Sequence, residues 1–189
     1  MDLNRQIRRL YRNLYKDNPE LLRIVFIHSK QVARKALEIA NQKNLPLDKE
    51  DICRAAMLHD IGVINCNAKD IYAFGALPYI CHGIEGKKIL EANGLSQFAS
   101  ICERHTGAGL SAKEIKQKNL PLPGRDMIPQ TLLEQLICYA DKFYSKSKDL
   151  KREKTTDEIM SQMKRFGEDS VSRCMILYNL FSIEKQELK

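Results

Sequence analysis

Apolar residues recur at intervals of three and four along most of this chain, a period that turns one face of a helix toward a core and that an extended strand cannot use. Leu3, Ile7, Leu10 and Leu14 open the pattern within residues 1–16. Leu21, Val25, His28, Val32, Ala36 and Ile39 carry it on after Asn18-Pro19-Glu20, where asparagine suits a cap and proline the first helical position. No strand pattern competes. The expected fold is therefore all-α, a helical bundle.

The helix boundaries follow from stop and start residues. A helix from Pro19 to about Lys43 ends at Asn44-Leu45-Pro46, and the same letters return at Asn119-Leu120-Pro121. Asparagine tolerates the left-handed conformation that ends helices, and the proline prevents continuation. Asp48 caps a helix reaching His59, and another spans Gly83 to Asn93 with Gly94 as its stop. Ser96 is read as the cap of a helix carrying Phe98, Ile101, Cys102 and His105 on one face. Ser111-Ala112-Lys113-Glu114 has the form of a capping box. Further helices are expected from Gln130 to about Ser147, over 156–166 and over 169–183, the last two closing the core through Ile159, Met163, Val171, Met175 and Tyr178. Residues 63–81 read as a loop with one short turn of helix.

At 189 residues the chain fits a single domain. Hydrophobic residues at 43% and charged residues at 29% exclude a disordered chain, and no apolar run is long enough to span a bilayer. With no signal-peptide pattern at the N-terminus the expected location is cytoplasmic, without a membrane partner. Six cysteines are widely spaced and include no Cys-x-x-Cys pair, so reduced, structural thiols are expected; Cys81, next to His82, is the one that could add a soft ligand.

The net charge of +7 is concentrated in two places. Arg5, Arg8, Arg9, Arg12 and Lys16 stand against Asp2 alone. Lys142, Lys146, Lys148, Lys151, Arg152 and Lys154 stand against Asp149 and Glu153. Such clusters are most often solvated faces, yet they also attract anionic small molecules or RNA.

The histidines carry the chemistry. His28 and His59 lie on apolar stripes, His82 precedes a helix, and His105 falls in the last turn of one. Asp60 follows His59 directly, and Asp141 interrupts the stripe Leu133, Ile137, Ala140, Tyr144. A single histidine on such a stripe is more often a hydrogen-bonded core residue than a ligand. All four placed this way, with two aspartates beside them, favour a shared cation. An unpaired carboxylate at a buried position costs several kcal/mol, by order of magnitude, unless a cation meets it.

In order, His28, His59-Asp60-Ile61-Gly62, Cys81-His82-Gly83-Ile84-Glu85-Gly86, Arg104-His105-Thr106-Gly107-Ala108-Gly109 and Tyr139-Ala140-Asp141-Lys142-Phe143 resemble the HD superfamily of metal-dependent phosphohydrolases, in the subgroup whose central motif reads HDIG. The resemblance covers about Ile27 to Lys146. It implies a bundle with a central metal site, the motif-bearing core lying at about 19–147. It further implies that His28, His59, Asp60 and Asp141 bind a first divalent transition-metal ion (Fe, Mn, Zn, Co or Ni). His82 and His105 would bind a second, with Asp60 between the two. Many relatives have a basic residue after the motif glycine; here it is Val63.

The expected activity is hydrolysis of a phosphomonoester or phosphodiester, most naturally of a nucleotide or dinucleotide, by a metal-activated hydroxide with Asp60, His82 and His105 as the catalytic set. Arg104 and Lys142 are candidates for binding the substrate phosphate, although helix neighbours diverge by about 100° and either could face solvent. Gly107 and Gly109 lack the spacing of a phosphate-binding loop. The competing reading is a metal-binding or RNA-associated module without turnover, using the two basic faces. The first and last helices offer contact surfaces for a homo-oligomer.

Overall fold

The computed structural model describes residues 2–147 and 149–183, so Lys148 of the second basic cluster and the segment 184–189 lie outside it. Among the described residues, nine α-helices follow in chain order: α1 (Leu3–Leu14), α2 (Pro19–Gln42), α3 (Lys49–Leu58), α4 (His82–Ala92), α5 (Ala99–Arg104), α6 (Ala112–Gln117), α7 (Leu132–Asp141), α8 (Thr156–Lys164) and α9 (Glu168–Phe181). The fold is the expected helical one. No helix among the described residues is long and apolar enough to cross a membrane.

Local signals explain the boundaries. The Asn18 side chain accepts from the backbone N–H of Leu21 and Pro19 fills the first turn of α2, while Asp48 caps α3 through the N–H of Asp51. Ser111 and Glu114 exchange both bonds of the capping box. Asn44 and Asn119, after α2 and α6, adopt φ of 51° and 47°, the left-handed conformation expected of them.

One apolar cluster draws Ile7, Leu10 and Tyr11 of α1 together with the stripe of α2, Ile52 and Leu58 of α3, and Leu136 and Ile137 of α7. Ile159 and Met163 of α8 and Leu177 and Phe181 of α9 close it. Met175, expected inside, is 40% exposed. Val171 and Tyr178 are half-buried, because α9 turns Cys174, Leu177 and Phe181 inward instead. A small satellite cluster of Leu110, Ile115 and Met127 holds α6.

Three expectations change. Residues 63–81 contain strands β1 (Cys66–Ala68), β2 (Ala73–Phe74) and β3 (Leu77–Pro78) in the order β2-β1-β3, with β1 antiparallel to β2 and parallel to β3. Strands of two or three residues have no room to display alternation, which is why no pattern announced them. Ser96 is not a side-chain cap but opens a 3₁₀ turn, Ser96–Phe98, before α5. Finally, α7 stops at Asp141 rather than near Ser147, and the chain turns there.

Candidate metal centre

The six proposed ligands come from five places in the fold. His28 sits on the buried stripe of α2. His59 and Asp60 follow α3 directly, and Asp141 is the last residue of α7, so two helix C-termini bring partial negative charge to the same spot. His82 begins α4 and His105 follows α5. All six are buried.

Gly62 explains how two of these places meet. A Cβ on it would lie 2.2 Å from the carbonyl oxygen of His82 and 2.2 Å from the backbone nitrogen of Gly86. Only glycine lets the turn carrying Asp60 rest directly on the backbone of α4. His82 is thereby held beside Asp60.

The donor atoms form two sets sharing one carboxylate. Asp60 Oδ2 lies 3.2 Å from His28 Nε2 and 3.0 Å from His59 Nε2. Asp141 Oδ1 lies 2.9 Å and 3.4 Å from the same two nitrogens, which are 3.3 Å apart. On the other side, Asp60 Oδ1 lies 3.6 Å from His82 Nε2 and 3.4 Å from His105 Nε2, themselves 3.0 Å apart. In each set all donor atoms fall within 4.8 Å of one another. Metal–ligand bonds of about 2.0–2.2 Å in a tetrahedron require donor separations of about 3.3–3.6 Å, so both sets have roughly the right size for a divalent transition metal.

Three of the four imidazoles are also turned correctly. Backbone carbonyls of Ala56, Tyr79 and Cys102 accept from Nδ1 of His59, His82 and His105 at 2.6, 2.7 and 2.8 Å. These bonds at Nδ1 orient each ring with Nε2 facing inward, the orientation metal-binding histidines require. Neither oxygen of Asp60 receives a well-directed hydrogen bond among the described residues. Lys146 meets Oδ2 as a cation at 2.7 Å, while Oδ1 faces the nitrogens of His82 and His105, an oxygen–nitrogen set that fits a metal ion.

Charge is distributed accordingly. Burial alone would raise the pKa of Asp60, yet His59 and Lys146 hold it well below the usual carboxylate range; Lys142 and Lys146 do the same for Asp141. Burial pushes His82 down to about 3, assisted by His105, and lowers His105 as well. His59 goes the other way: despite burial, Asp60 and Asp141 raise it to about 9. The second set is thus neutral at its nitrogens, ready to donate lone pairs.

Lys146 is the residue that sequence reasoning did not single out. Its Nζ lies 2.7 Å from Asp60 Oδ2, and burial is outweighed by Asp60, which raises its pKa. It stood in a run of lysines with nothing to distinguish it. Only the early end of α7 turns it back toward the centre. Tyr79 joins it, stacked on His82 with ring centroids 4.7 Å apart.

The two residues expected to bind phosphate fare differently. Lys142 is buried beside the centre, with Nζ 2.8 Å from Asp141 Oδ2 and donating to the carbonyl of His105 at 3.2 Å. Arg104 turns away: its guanidinium is held by the buried Glu134 at 3.0 Å, and it does not line the cleft over the centre. Cys81 also stands apart, its thiol directed to the carbonyl of Pro121 and absent from both donor sets.

A cleft of about 520 Å³ opens onto the centre at Asp141. Lys142, Lys146 and Lys154 line it, with Asn67, Gln162, Tyr79 and Phe166 around them. A buried cation site reached by a cleft differs from a sealed structural site.

A helical fold enclosing two histidine–aspartate donor sets joined through one carboxylate defines a metal-binding helical domain. The family model described as the HD domain matches residues 25–145, and this chain belongs to that family. Its donor chemistry and family together indicate divalent-metal binding. The chain is 30% identical over 174 residues to an uncharacterized protein of Methanocaldococcus jannaschii, covering 89% of this chain and 90% of that one. It is also similar to a tRNA (cytidine(56)-2'-O)-methyltransferase of Thermoplasma volcanium, 29% identical over 156 residues, or 82% of this chain and 41% of that protein. The enzyme of the same name from Picrophilus torridus is 30% identical over 123 residues, or 65% of this chain and 32% of that protein. The matched region therefore covers less than half the length of either methyltransferase. No solved structure matches significantly.

Proposed function

We propose that this chain is a metal-dependent phosphohydrolase of the HDIG subgroup, cleaving a phosphomonoester or phosphodiester bond of a nucleotide or dinucleotide. The observation that carries the reading is Asp60, whose two oxygens face two donor sets beside a lysine-lined cleft that meets the centre at Asp141. His28, His59, Asp60 and Asp141 would hold one ion, and His82 and His105 with Asp60 would hold a second. Nitrogen and oxygen donors of this kind suit Fe, Mn, Zn, Co or Ni. When bound, such ions supply a water of lowered pKa and neutralise charge on a phosphoryl group.

The chain's own side chains supply the rest. Lys146 and Lys142 place two ammonium groups beside the reacting position, where a phosphate's oxygens need them. Lys154 donates to the carbonyls of Lys142 and Tyr144 at 3.2 and 3.3 Å, fixing the turn that carries both lysines. Tyr79 and Phe166 offer aromatic surface for a base, and the amides of Asn67 and Gln162 offer it hydrogen bonds. Asp60, His82 and His105 form the catalytic set. Residues 1–189 make a single HD unit around the core at 19–147.

A second reading is supported by the two methyltransferase relatives, in which the matched region accompanies a protein acting on tRNA. It is an RNA-associated HD module without turnover.

The test is metal analysis of the purified chain followed by a nucleotide and dinucleotide panel with added Mn²⁺, Fe²⁺ or Co²⁺. Hydrolysis abolished in Asp60→Ala and His59→Ala with helicity retained is the expected result. A metal-loaded protein inert on the whole panel would overturn the hydrolase reading and leave the module.

A further inference from the structure

On another face of the molecule, α1, α2 and α3 enclose a groove of about 760 Å³ that shares no lining residue with the cleft over the metal centre. Its apolar surface comes from Ile7, Tyr11, Leu22, Phe26 and Met57. Each of the three helices adds cations: Arg8 and Arg12, Arg23 and Lys30, and Arg54. Among the described residues no acidic side chain lines it. Arg54 is engaged by Glu50 and Asp51, but Arg8, Arg12 and Arg23 are exposed and have no ion-pair partner among the described residues.

We infer that this groove is a docking site for single-stranded RNA. The occupant must present anionic groups and apolar faces together, because each of the three helices lining the groove supplies both cations and apolar side chains. A single strand does so at every nucleotide. An acidic amphipathic helix carries its charge on the side opposite its apolar face, a duplex hides its bases, and a bilayer surface cannot enter a concavity.

The side chains fit that role. Phe26 is 45% exposed, an uncommon position for a large aromatic ring, and offers a face on which a base can stack; Lys30 holds its ammonium 5.6 Å from the ring centroid. Arg8 and Arg12, four residues apart, project from the same side of α1. Guanidinium groups so placed can contact successive phosphates of one strand.

The experiment is fluorescence anisotropy with a labelled single-stranded RNA of about twelve nucleotides, a length suited to one such groove, titrated with the full chain across a range of potassium chloride. The triple variant R8A/R12A/R23A is expected to weaken binding about tenfold or more and to lower the slope of log K against log salt by about 2, the value for three lost phosphate contacts. Phe26→Ala should weaken it about tenfold with the slope unchanged. The charge-matched control K43A/K49A/K113A should bind nearly as the parent does. Circular dichroism confirms that each variant is folded.

Repeating the titration with ion-stripped protein and with Asp60→Ala separates docking from hydrolysis, since RNA binding should survive both. Absence of binding at low salt, equal affinity for duplex RNA, equal losses in the control, or capture of an acidic peptide or anionic vesicle in place of RNA would each overturn the inference.

Discussion

Lys146 Nζ lies 2.7 Å from Asp60 Oδ2, so the carboxylate shared by both donor sets is faced by a fixed positive charge on the cleft side. Asp60 is fully buried, and removing one partner of a buried ion pair costs about 3–5 kcal/mol because the other charge is stranded. Lys146→Met should destabilise the ion-free protein by about that amount, with the loss recovered on adding Mn²⁺. On the proposed reaction it should also lower kcat/KM by about 10–100-fold, the worth of one charged hydrogen bond to phosphate. Chemical denaturation with and without metal, beside steady-state kinetics, checks both.

The geometry separates the ligands by stoichiometry. Among the described residues Asp141 belongs to the first donor set alone and His82 and His105 to the second alone, while Asp60 belongs to both. Asp141→Ala should lose the first ion and keep the second, His82→Ala should do the reverse, and Asp60→Ala should lose both. Inductively coupled plasma mass spectrometry after reconstitution counts them. Equal loss in all three would show that the two sets are not independent, and full retention in Asp60→Ala would remove the shared carboxylate from the account.

How much of this was legible follows from scale. Helices such as α2 span several turns, so their period, caps and stops are written in contiguous residues, and His28 could be placed from its stripe alone. The candidate ligands stood out because they lie on, interrupt or flank such stripes, and their division into two sets came from the resemblance to the HD superfamily. Lys146 and Arg104 could not be assigned, since their fates depend on where the chain turns in space. The apolar Phe143 and Tyr144 extend the pattern of α7 past Asp141, hiding the turn that brings Lys146 inward. For Arg104 the deciding partner is Glu134, thirty positions away, buried at the start of α7 and held there by the N–H of Gln130. Burial would raise the pKa of Glu134, but these bonds lower it, so it remains an anion able to draw Arg104 from the cleft.

Gly62 enters the sequence reading only as the last letter of the HDIG motif; its contact with α4 is a tertiary fact. Gly62→Ala puts a methyl group 2.2 Å from two backbone atoms that have no flexible end to yield. Overpacking against side chains costs about 1–3 kcal/mol, and against backbone the upper end or beyond is expected. Urea denaturation should show a loss of about 3 kcal/mol or more. Because relief requires the Asp60 turn to move off His82, occupancy of the second ion should fall along with stability. A variant as stable as the parent would mean that α4 shifts freely.

The loop after His105 is tied down from the far end of the chain. Arg173 of α9 donates to the carbonyls of Ala108 and Gly109 at 3.1 and 3.0 Å and pairs with Glu114 of α6 at 2.7 Å. Burial would raise the pKa of Glu114, but Arg173 and the bonds from Ser111 lower it. A carboxylate with a depressed folded-state pKa contributes stability that is present above its unfolded pKa, about 4.3, and is lost as pH falls through the folded value. Glu114→Gln should therefore be less stable than the parent by about 1–3 kcal/mol at pH 7, the range for charged hydrogen bonds, with the difference shrinking below about pH 4. Arg173→Ala should show the larger deficit, because it frees the loop carbonyls as well as Glu114, and part of its deficit should persist in acid. Denaturation midpoints across that pH range test the order; a Glu114→Gln deficit that does not change with pH would show that the carboxylate's charge is not what holds the loop.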